Sequence, residues 1–433
     1  MPRTEPLPLP EALDLLRSTL DQSPADYTEI AWSEAIRQSG ATPGGAVDGA
    51  PVPLPHCTLQ VRVVERGRSG HYTTGNLEME ELRHAVRQAL AQAATAPPVS
   101  SGGHPLEPPD DTSALPSPLS TDALFDPAIA HLTPAAAADL LGERLESGRE
   151  TGALDWIVGR VVVVNSKGLE RQTAVTCARL QLQRGEGPGA GQAASAARTL
   201  QQLDAPGTLE RARLRAAAGS ETADPGEPFA TVYLAPEATA GLILHLRRLL
   251  RTHLTFPVVE AALLPRLGSA SLDPYLHLAD DPLAEAGLPF PFDLRGAPLG
   301  ARVLLTEGAV QPPFPPATNG PGDERGSHLI LQSGATAEAR LWELCEGGLF
   351  VPSIHKVDCR EPGTLGLRCS IHGARRIRGG QPAEILCRPT LDLALLPALE
   401  TVLGIGTQAV TLAEGDGLYG GVRAPALALT LCH

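Results

Sequence analysis

Apolar residues in the first part of the chain follow helical spacing, then strand spacing, then helical spacing again. Leucines recur every three or four residues over 9–24, which predicts a helix. The segment 57–75 alternates apolar and polar residues and contains glycines typical of turns, so we expect a β-hairpin. Helical spacing returns over 76–94, where Asn76 is a candidate N-cap. These elements predict an N-terminal α+β domain over 9–95.

A change in composition separates this unit from the next one. Residues 96–122 are rich in Pro, Ser and Gly, which indicates a linker or an exposed loop. A helical segment follows, and then two apolar runs flank the sequence "NSKG" at 165–168. Asn and Gly adopt the positive φ angles of tight hairpin turns, so we interpret this sequence as a turn. The pattern predicts a central α+β domain over 123–226.

The remainder of the chain, 227–433, has a different pattern. It begins with a predicted strand and a helix whose first turn contains Pro236, a favoured position for proline. Many short apolar segments then follow, divided by Gly, Pro and Asp, which is typical of a β-rich domain. The predicted fold class is therefore α+β, with N-terminal α/β units followed by a β-rich C-terminal domain.

Composition restricts the classes of function. The formal net charge of −14 argues against a protein that binds nucleic-acid phosphates, which requires a basic face. The sequence shows no signal peptide and no apolar run near the roughly 20 residues of a membrane span. Its seven cysteines are odd in number and scattered, unlike a disulfide framework. We expect reduced thiols, a cytoplasmic location, and neither nucleic acid nor membrane as a partner.

The helix after Pro236 carries the most informative chemistry. Its sequence "EATAGLILHLRRLLRTHLTF" (237–256) contains His245 and His253, which a regular helix separates by roughly 12 Å. One zinc ion cannot bind both, because Zn–N distances are about 2 Å. Leu246 occupies the position where a zinc peptidase carries the glutamate that takes a proton from metal-bound water. The residues therefore favour an amphipathic packing helix over a metal-binding one.

Over nearly its whole length the sequence resembles the TldD/PmbA (TldE) family. The resemblance rests on segments that occur in family order: "ADYTEIAWSE", "GHYTTGNLEMEELRHAVRQAL", "VVVVNSKGLERQT", "TVYLAPEATAGLILHLRRLL", "LADDPLAEAGLPFPFDLRGAPLGARVLLTEGAV" and "GTLGLRCSIHGARRIRGGQPAEI". Their order and spacing together are more specific than any one of them. The resemblance implies the TldD/PmbA-like fold.

The family contains two kinds of member, and the resemblance indicates which kind this chain is. TldD-type chains carry His-Glu-x-x-x-His on this helix and a later cysteine, and they resemble zinc peptidases. PmbA/TldE-type chains lack the motif and pair with a TldD-type subunit. The three motif positions fall on His245, Leu246 and Leu250. The resemblance therefore implies a non-catalytic chain without metal, zinc in a TldD-like partner, assembly as a heterodimer or homodimer, and a peptide substrate.

A second group of candidate metal ligands lies closer to the C terminus. His355, Cys359, Cys369 and His372 fall within 18 residues. The spacing lacks the tight Cys-x2-Cys of a zinc finger. In a strand, Cys369 and His372 would point to opposite faces. We expect buried thiols and surface histidines, with a metal cluster of these four residues as the alternative.

Three functions remain open at this point. The favoured one is a non-catalytic subunit of a TldD/TldE-type zinc metallopeptidase complex that processes unfolded or modified peptides. The second is a metallopeptidase in its own right, with a rearranged metal site that uses His245. The third is a regulatory protein–protein interaction module that modulates gyrase or a toxin. No catalytic residue is assigned in this chain under the favoured function.

Overall fold

The computed structural model describes residues 7–45, 55–97, 121–216, 222–223, 228–251, 268–311, 327–361, 365–386 and 390–431. The helices are α1 Leu9–Gln22, α2 Met79–Thr95, α3 Thr121–Leu124, α4 Pro127–Ala130, α5 Pro134–Gly142, α6 Ala205–Arg215, α7 Pro236–Arg251, α8 Glu338–Leu344 and α9 Leu395–Glu400. The strands of the N-terminal half are β1 Tyr27–Ala41, β2 Pro55–Glu65, β3 Arg68–Thr74, β4 Glu150–Asn165, β5 Glu170–Arg184 and β6 Gly191–Ala197.

The strands of the C-terminal half are shorter and more numerous. They are β7 Thr222–Ala223, β8 Thr231–Leu234, β9 Leu278–Asp280, β10 Arg302–Thr306, β11 Ala309–Val310, β12 Ser327–Leu331, β13 Leu349–Val351, β14 Ser353–Glu361, β15 Gly366–His372, β16 Arg375–Arg378, β17 Gln381–Leu386, β18 Thr390–Ala394, β19 Val402–Ala413 and β20 Gly420–Thr430. The predicted α+β class with a β-rich C-terminal part is confirmed.

A six-stranded antiparallel sheet in the order β3-β2-β1-β4-β5-β6 forms the N-terminal half. Strand β1 pairs with β4 along most of its length, so strands of the predicted 9–95 and 123–226 units lie in one sheet. Of the predicted linker 96–122, most residues lie outside the described part of the chain. The domain boundaries themselves stay a prediction.

The most apolar run of the N-terminal half lies in β4, at the centre of this sheet. Residues 161–164 are four consecutive valines in β4, and all four are buried. Val162 and Val164 pack in the cluster formed with α1 and α2, whereas Val161 and Val163 pack in a cluster on the opposite face. A strand covered on both faces needs apolar residues at every position rather than at alternate ones.

Local turn chemistry is as predicted at two hairpins. Arg66 and Gly67 join β2 to β3 with φ angles of 51° and 71°, the left-handed geometry that matches strand twist. At the β4–β5 turn, the Asn165 carboxamide oxygen accepts hydrogen bonds from the backbone N–H groups of Lys167 and Leu169 at 2.9 and 3.1 Å. The "NSKG" sequence is therefore a turn.

The N-cap predicted at Asn76 is wrong. Helix α2 begins at Met79, and its N-cap is Glu78, whose side chain makes no capping hydrogen bond. The first turn instead contains Glu80 and Glu81, whose negative charges stabilise the helix by interacting with the positive end of its dipole.

The C-terminal half contains two further sheets among its described residues. An eleven-stranded mixed sheet has the order β11-β10-β9-β12-β20-β8-β13-β16-β17-β7, with β19 paired to β20. A three-stranded antiparallel sheet has the order β14-β15-β18. Helix α7 packs with both sheets in the largest apolar cluster. Across the described ranges, we find no helix with the length and apolar character needed to cross a membrane.

Candidate functional site

Helix α7 is the element on which the family resemblance places the metal motif. Strand β8, which leads into it, lies inside the eleven-stranded sheet between β20 and β13. Leu242 and Ile243 are buried, and Leu244 and Leu246 pack against the same cluster. One face of α7 is therefore part of the core.

The three motif positions differ in what the structure shows. His245 is half-buried, and Leu246 packs against the core. The backbone of Leu250 is helical, but its side chain lies outside the described residues, as does the whole of His253. The position of the proton-accepting glutamate thus holds an apolar side chain with no group that can accept a proton.

Buried ion pairs hold α7 against other elements. At its first turn, the Glu237 carboxylate accepts a hydrogen bond from Arg215 at 2.7 Å and lies 3.5 Å from Arg211 Nε. Burial alone would raise the pKa of Glu237, but Arg215 and Arg211 outweigh it and hold that pKa below its usual range. Further along, the buried Arg247 pairs with Glu414, directly after β19. These contacts fix the helix between the two halves of the chain.

The second candidate group is divided between two faces of one sheet. His355 and His372 are exposed, and their ring centroids lie 4.6 Å apart. Cys369 is fully buried, and the partly buried Cys359 packs against the same core. Burial raises the pKa of the Cys369 thiol to about 12, which disfavours the thiolate that binds metals.

No group of three or more His, Cys, Asp or Glu side chains suited to a metal ion occurs in the described ranges. The four residues His355, Cys359, Cys369 and His372 are therefore not brought together as one cluster there. The opposite directions expected for Cys369 and His372 are seen in the burial of β15, which alternates along the strand.

Sequence reasoning missed Arg198, which is fully buried after β6. Its guanidinium donates hydrogen bonds to the backbone carbonyls of Thr176, Pro289, Gly417 and Leu418 at 2.7–3.2 Å. Burial, the largest cause, lowers its pKa to about 10, so the group remains charged at neutral pH. No local pattern marks such a residue, because its acceptors come from distant parts of the chain.

Sequence reasoning also missed His328, on β12. The side chain is fully buried, and among the described residues neither ring nitrogen has a hydrogen-bond partner. The backbone of Gly287 lies against the ring so closely that even a methyl group would overlap it. Burial first, and then the charges of Arg198, Arg423 and Arg247, lower the pKa of His328 to about 3. The imidazole is therefore neutral near pH 7.

A small polar cavity of about 50 Å³ lies beside this region, where β6 meets the C-terminal sheet. Its lining includes Gln202, Asp204, Thr411 and Arg423. Arg423 already donates to Thr411 Oγ1 at 3.2 Å and to the Ala286 carbonyl at 3.3 Å. The volume suits a few water molecules and is far below the 300–1,000 Å³, roughly, of small-molecule sites.

The fold is that of solved structures of the PmbA/TldE type. The crystal structure of a proposed modulator of DNA gyrase from Bacteroides thetaiotaomicron VPI-5482 superposes with a TM-score of 0.73 at 17% identity, covering 97% of this chain and 98% of that one. A proposed modulator of a DNA gyrase from Thermotoga maritima MSB8 gives 0.69 at 17% identity, covering 98% and 99%.

TldE from Thermococcus kodakarensis shares the fold with a TM-score of 0.67 at 16% identity, covering 97% of this chain and 99% of that one. No protein-family model and no curated protein matches the sequence. The resemblance inferred from the sequence segments is therefore confirmed at the level of the fold.

Proposed function

We propose that this chain is the non-catalytic, TldE/PmbA-like subunit of a two-subunit zinc metallopeptidase that processes unfolded or modified peptides. In this proposal a TldD-like partner holds the zinc ion, and this chain contributes no metal ligand. A heterodimer with that partner is the working assembly, and a homodimer is the form expected when the partner is absent.

The observation that carries this proposal is the side chain at position 246. A zinc peptidase needs a carboxylate beside the metal-bound water, and loss of a general base costs about 10²–10⁴ in rate. Leu246 packs against the core, and its aliphatic side chain has no atom that can accept a proton in any rotamer. Helix α7 serves packing, supported by the ion pairs of Glu237 and Arg247.

The proposal includes a cytoplasmic location. Among the described residues, Cys57, Cys177, Cys345, Cys359 and Cys369 form no disulfide, which is the state that a reducing compartment would maintain. A thiol titration of protein purified under non-reducing conditions would check this, since disulfides would argue for an oxidising compartment.

The decisive experiment is reconstitution with a TldD-like chain from the same organism. Hydrolysis of an unfolded peptide should be absent for each chain alone and appear when the two are mixed. Activity should disappear when the partner's metal-motif glutamate is changed to Gln. His245→Ala in this chain should leave the activity of the pair unchanged.

The main alternative is a metallopeptidase in its own right that uses His245 with ligands from distant segments. It requires hydrolysis by the isolated chain and loss of that hydrolysis in His245→Ala. It also requires metal that survives gel filtration, measured by elemental analysis. Either activity alone or tightly held zinc that depends on His245 would replace the subunit proposal.

A second candidate function is modulation of DNA gyrase through protein–protein contact. Two of the structural neighbours are described as proposed gyrase modulators, which is the observation in its favour. A supercoiling assay with purified gyrase tests it directly. Inhibition or stimulation by this chain alone, at equimolar concentration, would support modulation over the peptidase role.

A further inference from the structure

The polar cavity between β6 and the C-terminal sheet has an exposed rim and a buried floor. Gln202, Asp204 and Ala286 line it and are exposed, whereas Gly287 and Thr411 line it and are buried. Its volume of about 50 Å³ suits roughly four water molecules, which is also the size of one carboxylate group. The cavity is too small for a whole small molecule, but it can hold one functional group of a larger ligand.

Arg423, on β20, supplies a positive charge to this cavity. Its Nη1 donates to Thr411 Oγ1 at 3.2 Å and to the Ala286 carbonyl at 3.3 Å, and these contacts orient the guanidinium. Within the described ranges Arg423 forms no ion pair, and its Nε and Nη2 groups donate no hydrogen bond. Two sides of the guanidinium therefore remain for a ligand.

The carboxylate of Asp204 also lines the cavity, but it already has partners. Asp204 caps α6 by accepting from the backbone N–H of Gly207 at 2.9 Å, and it pairs with Arg211 Nη1 at 3.2 Å. Burial lowers the pKa of Arg423, and the charge of Asp204 offsets this only in part. Among the described groups, the positive charge of Arg423 is therefore not balanced.

The charges behind the cavity are also positive. Arg198 directly follows the lining residue Ala197, and the described acceptors of its hydrogen bonds are all backbone carbonyls. The ring of His328 lies against Gly287, and after burial the charge of Arg198 is the next cause that lowers its pKa. Charges interact more strongly at such sites than in water, so this environment favours a negatively charged ligand group.

A row of side chains leads from the outer part of the eleven-stranded sheet to the cavity. The register gives one cross-strand partner on each of β10, β9, β12, β20 and β19: Val303, Ala279, Ile330, Arg423 and Thr411. Cross-strand partners lie on the same face of a sheet. Exposure decreases along this row, from 56% for Val303, through the half-buried Ala279 and Ile330, to 6% for Thr411. Apolar surface therefore lies next to the cationic cavity.

We propose that this cavity binds a carboxylate group of an extended peptide, with Arg423 as the residue that holds it and with apolar side chains of the peptide lying on Ile330, Ala279 and Val303. The carboxylate accepts charge-assisted hydrogen bonds from the guanidinium. The choice of a peptide as ligand rests on the peptide-processing function proposed above. The carboxylate is either the C terminus of the peptide or an Asp or Glu side chain, and the site uses neither a metal ion nor His245.

The first test compares three peptides on the unaltered full-length chain by fluorescence anisotropy. All three share an unfolded sequence of Gly, Ser and Leu with a neutral fluorophore at the N terminus. One has a free C-terminal carboxylate, one is amidated, and one is amidated but contains a single Glu. At least one carboxylate peptide should bind about 10–100-fold more tightly than the uncharged amide, as hydrogen bonds to charged groups contribute that much.

The three affinities also identify the source of the carboxylate. Tighter binding of the free acid identifies the C terminus as the ligand, and tighter binding of the Glu peptide identifies a side chain; either result supports the site. Equal affinities for all three peptides overturn it. This comparison uses the unaltered chain, so it remains decisive even if a variant misfolds.

Variants then locate the site. Arg423→Gln should remove the preference for a carboxylate, and Arg423→Lys should retain part of it, because lysine keeps the charge but loses the planar fork. The control Arg340→Gln removes an exposed arginine that pairs with Glu343 on α8 and should keep the full preference. Val303→Ser should weaken the acid and amide peptides alike, since it removes only apolar surface.

The result is separable from that of the peptidase proposal, because binding is measured on the isolated chain. A carboxylate preference that is absent, or that survives Arg423→Gln, refutes the site even if the reconstituted pair hydrolyses peptides. A preference that depends on Arg423, together with no hydrolysis by the pair, supports the site and contradicts the peptidase proposal.

Discussion

Arg198 and His328 are two buried basic side chains near the junction of the main sheets, and they differ in protonation: the arginine is charged and the histidine is neutral. Arg198 keeps its charge by directing its N–H groups at backbone carbonyls. His328 is neutral chiefly because it is buried, and three nearby arginines and the absence of a described acceptor for its ring N–H also disfavour its charged form. A buried charge needs hydrogen bonds, whereas a buried imidazole can remain neutral.

Replacement of Arg198 by Met should destabilise the chain by at least about 3 kcal/mol. The carbonyls of Pro289, Gly417 and Leu418 would lose their donor, and each stranded buried acceptor costs about 1–3 kcal/mol. Urea unfolding at pH 7 measures the change. The control Arg17→Met removes an exposed ion pair with Glu170 and should cost about 1 kcal/mol or less. Equal effects of both variants would contradict this account.

His328 should contribute to the loss of stability at acid pH. Its folded-state pKa of about 3 is below the unfolded value, so protons bind the unfolded chain first as the pH falls. Its contribution is complete above the unfolded pKa, about 6.5, and is lost as the pH falls towards 3. From pH 7 to 5, the unaltered chain should lose about 2 kcal/mol more than His328→Leu. Denaturant unfolding at both pH values measures this, and parallel losses would refute it.

At the scale of elements, close approach between a helix and a strand decides the identity of Gly70. The sequence around Gly70 suggests a turn residue that interrupts the hairpin, but Gly70 lies inside strand β3. A Cβ at this position would overlap the carbonyl oxygen of Ala89 and approach Ala93 N on α2 to 2.6 Å. Glycine is therefore required by the packing of α2 against β3 rather than by a turn.

Gly70→Ala should lower the free energy of unfolding by about 1–3 kcal/mol, because α2 must move away from the sheet. Gly142→Ala is the matched control: nothing lies within 4 Å of its added Cβ, and its φ is not positive. That control should be neutral or slightly stabilising. Thermal unfolding followed by circular dichroism compares them, and a neutral Gly70→Ala would show that the helix yields freely.

At the scale of the whole molecule, the two large sheets share a core. Ile157 and Val161 of the six-stranded sheet pack with Phe290, Phe292 and Leu418 from the C-terminal half. The hydrogen bonds of Arg198 and the ion pairs of Glu237 cross the same junction. Such a shared core favours a single cooperative unfolding transition over two separate ones.

Three tryptophans allow this to be tested, because they report on different halves. Trp32 and Trp156 are buried in the six-stranded sheet, and Trp342 lies on α8. In Trp342→Phe, and separately in Trp32→Phe/Trp156→Phe, the fluorescence midpoint in urea should coincide with the circular dichroism midpoint of the same variant. A displaced fluorescence midpoint in either variant would show that the halves unfold independently.

The sequence by itself determined those features that depend only on neighbouring residues, such as helices, hairpins and turns. Spacing located α1, the β2–β3 hairpin and the "NSKG" turn, and the sequence itself showed a leucine, Leu246, where the family resemblance places a glutamate. The N-cap of α2 that the sequence predicted, Asn76, was wrong, because several residues near the start of this helix suit a first turn equally well. Helical and strand periods are properties of neighbouring residues, so they can be read without knowing the fold.

Only the tertiary structure decided how distant groups meet. It joined β1 to β4 in one sheet, separated His355 and His372 from the two cysteines, and placed Arg198 against the carbonyl of Gly417, 219 residues away. It also buried His328 beneath Gly287. These arrangements depend on which surfaces pack together after long loops close, and no local period along the chain records that choice.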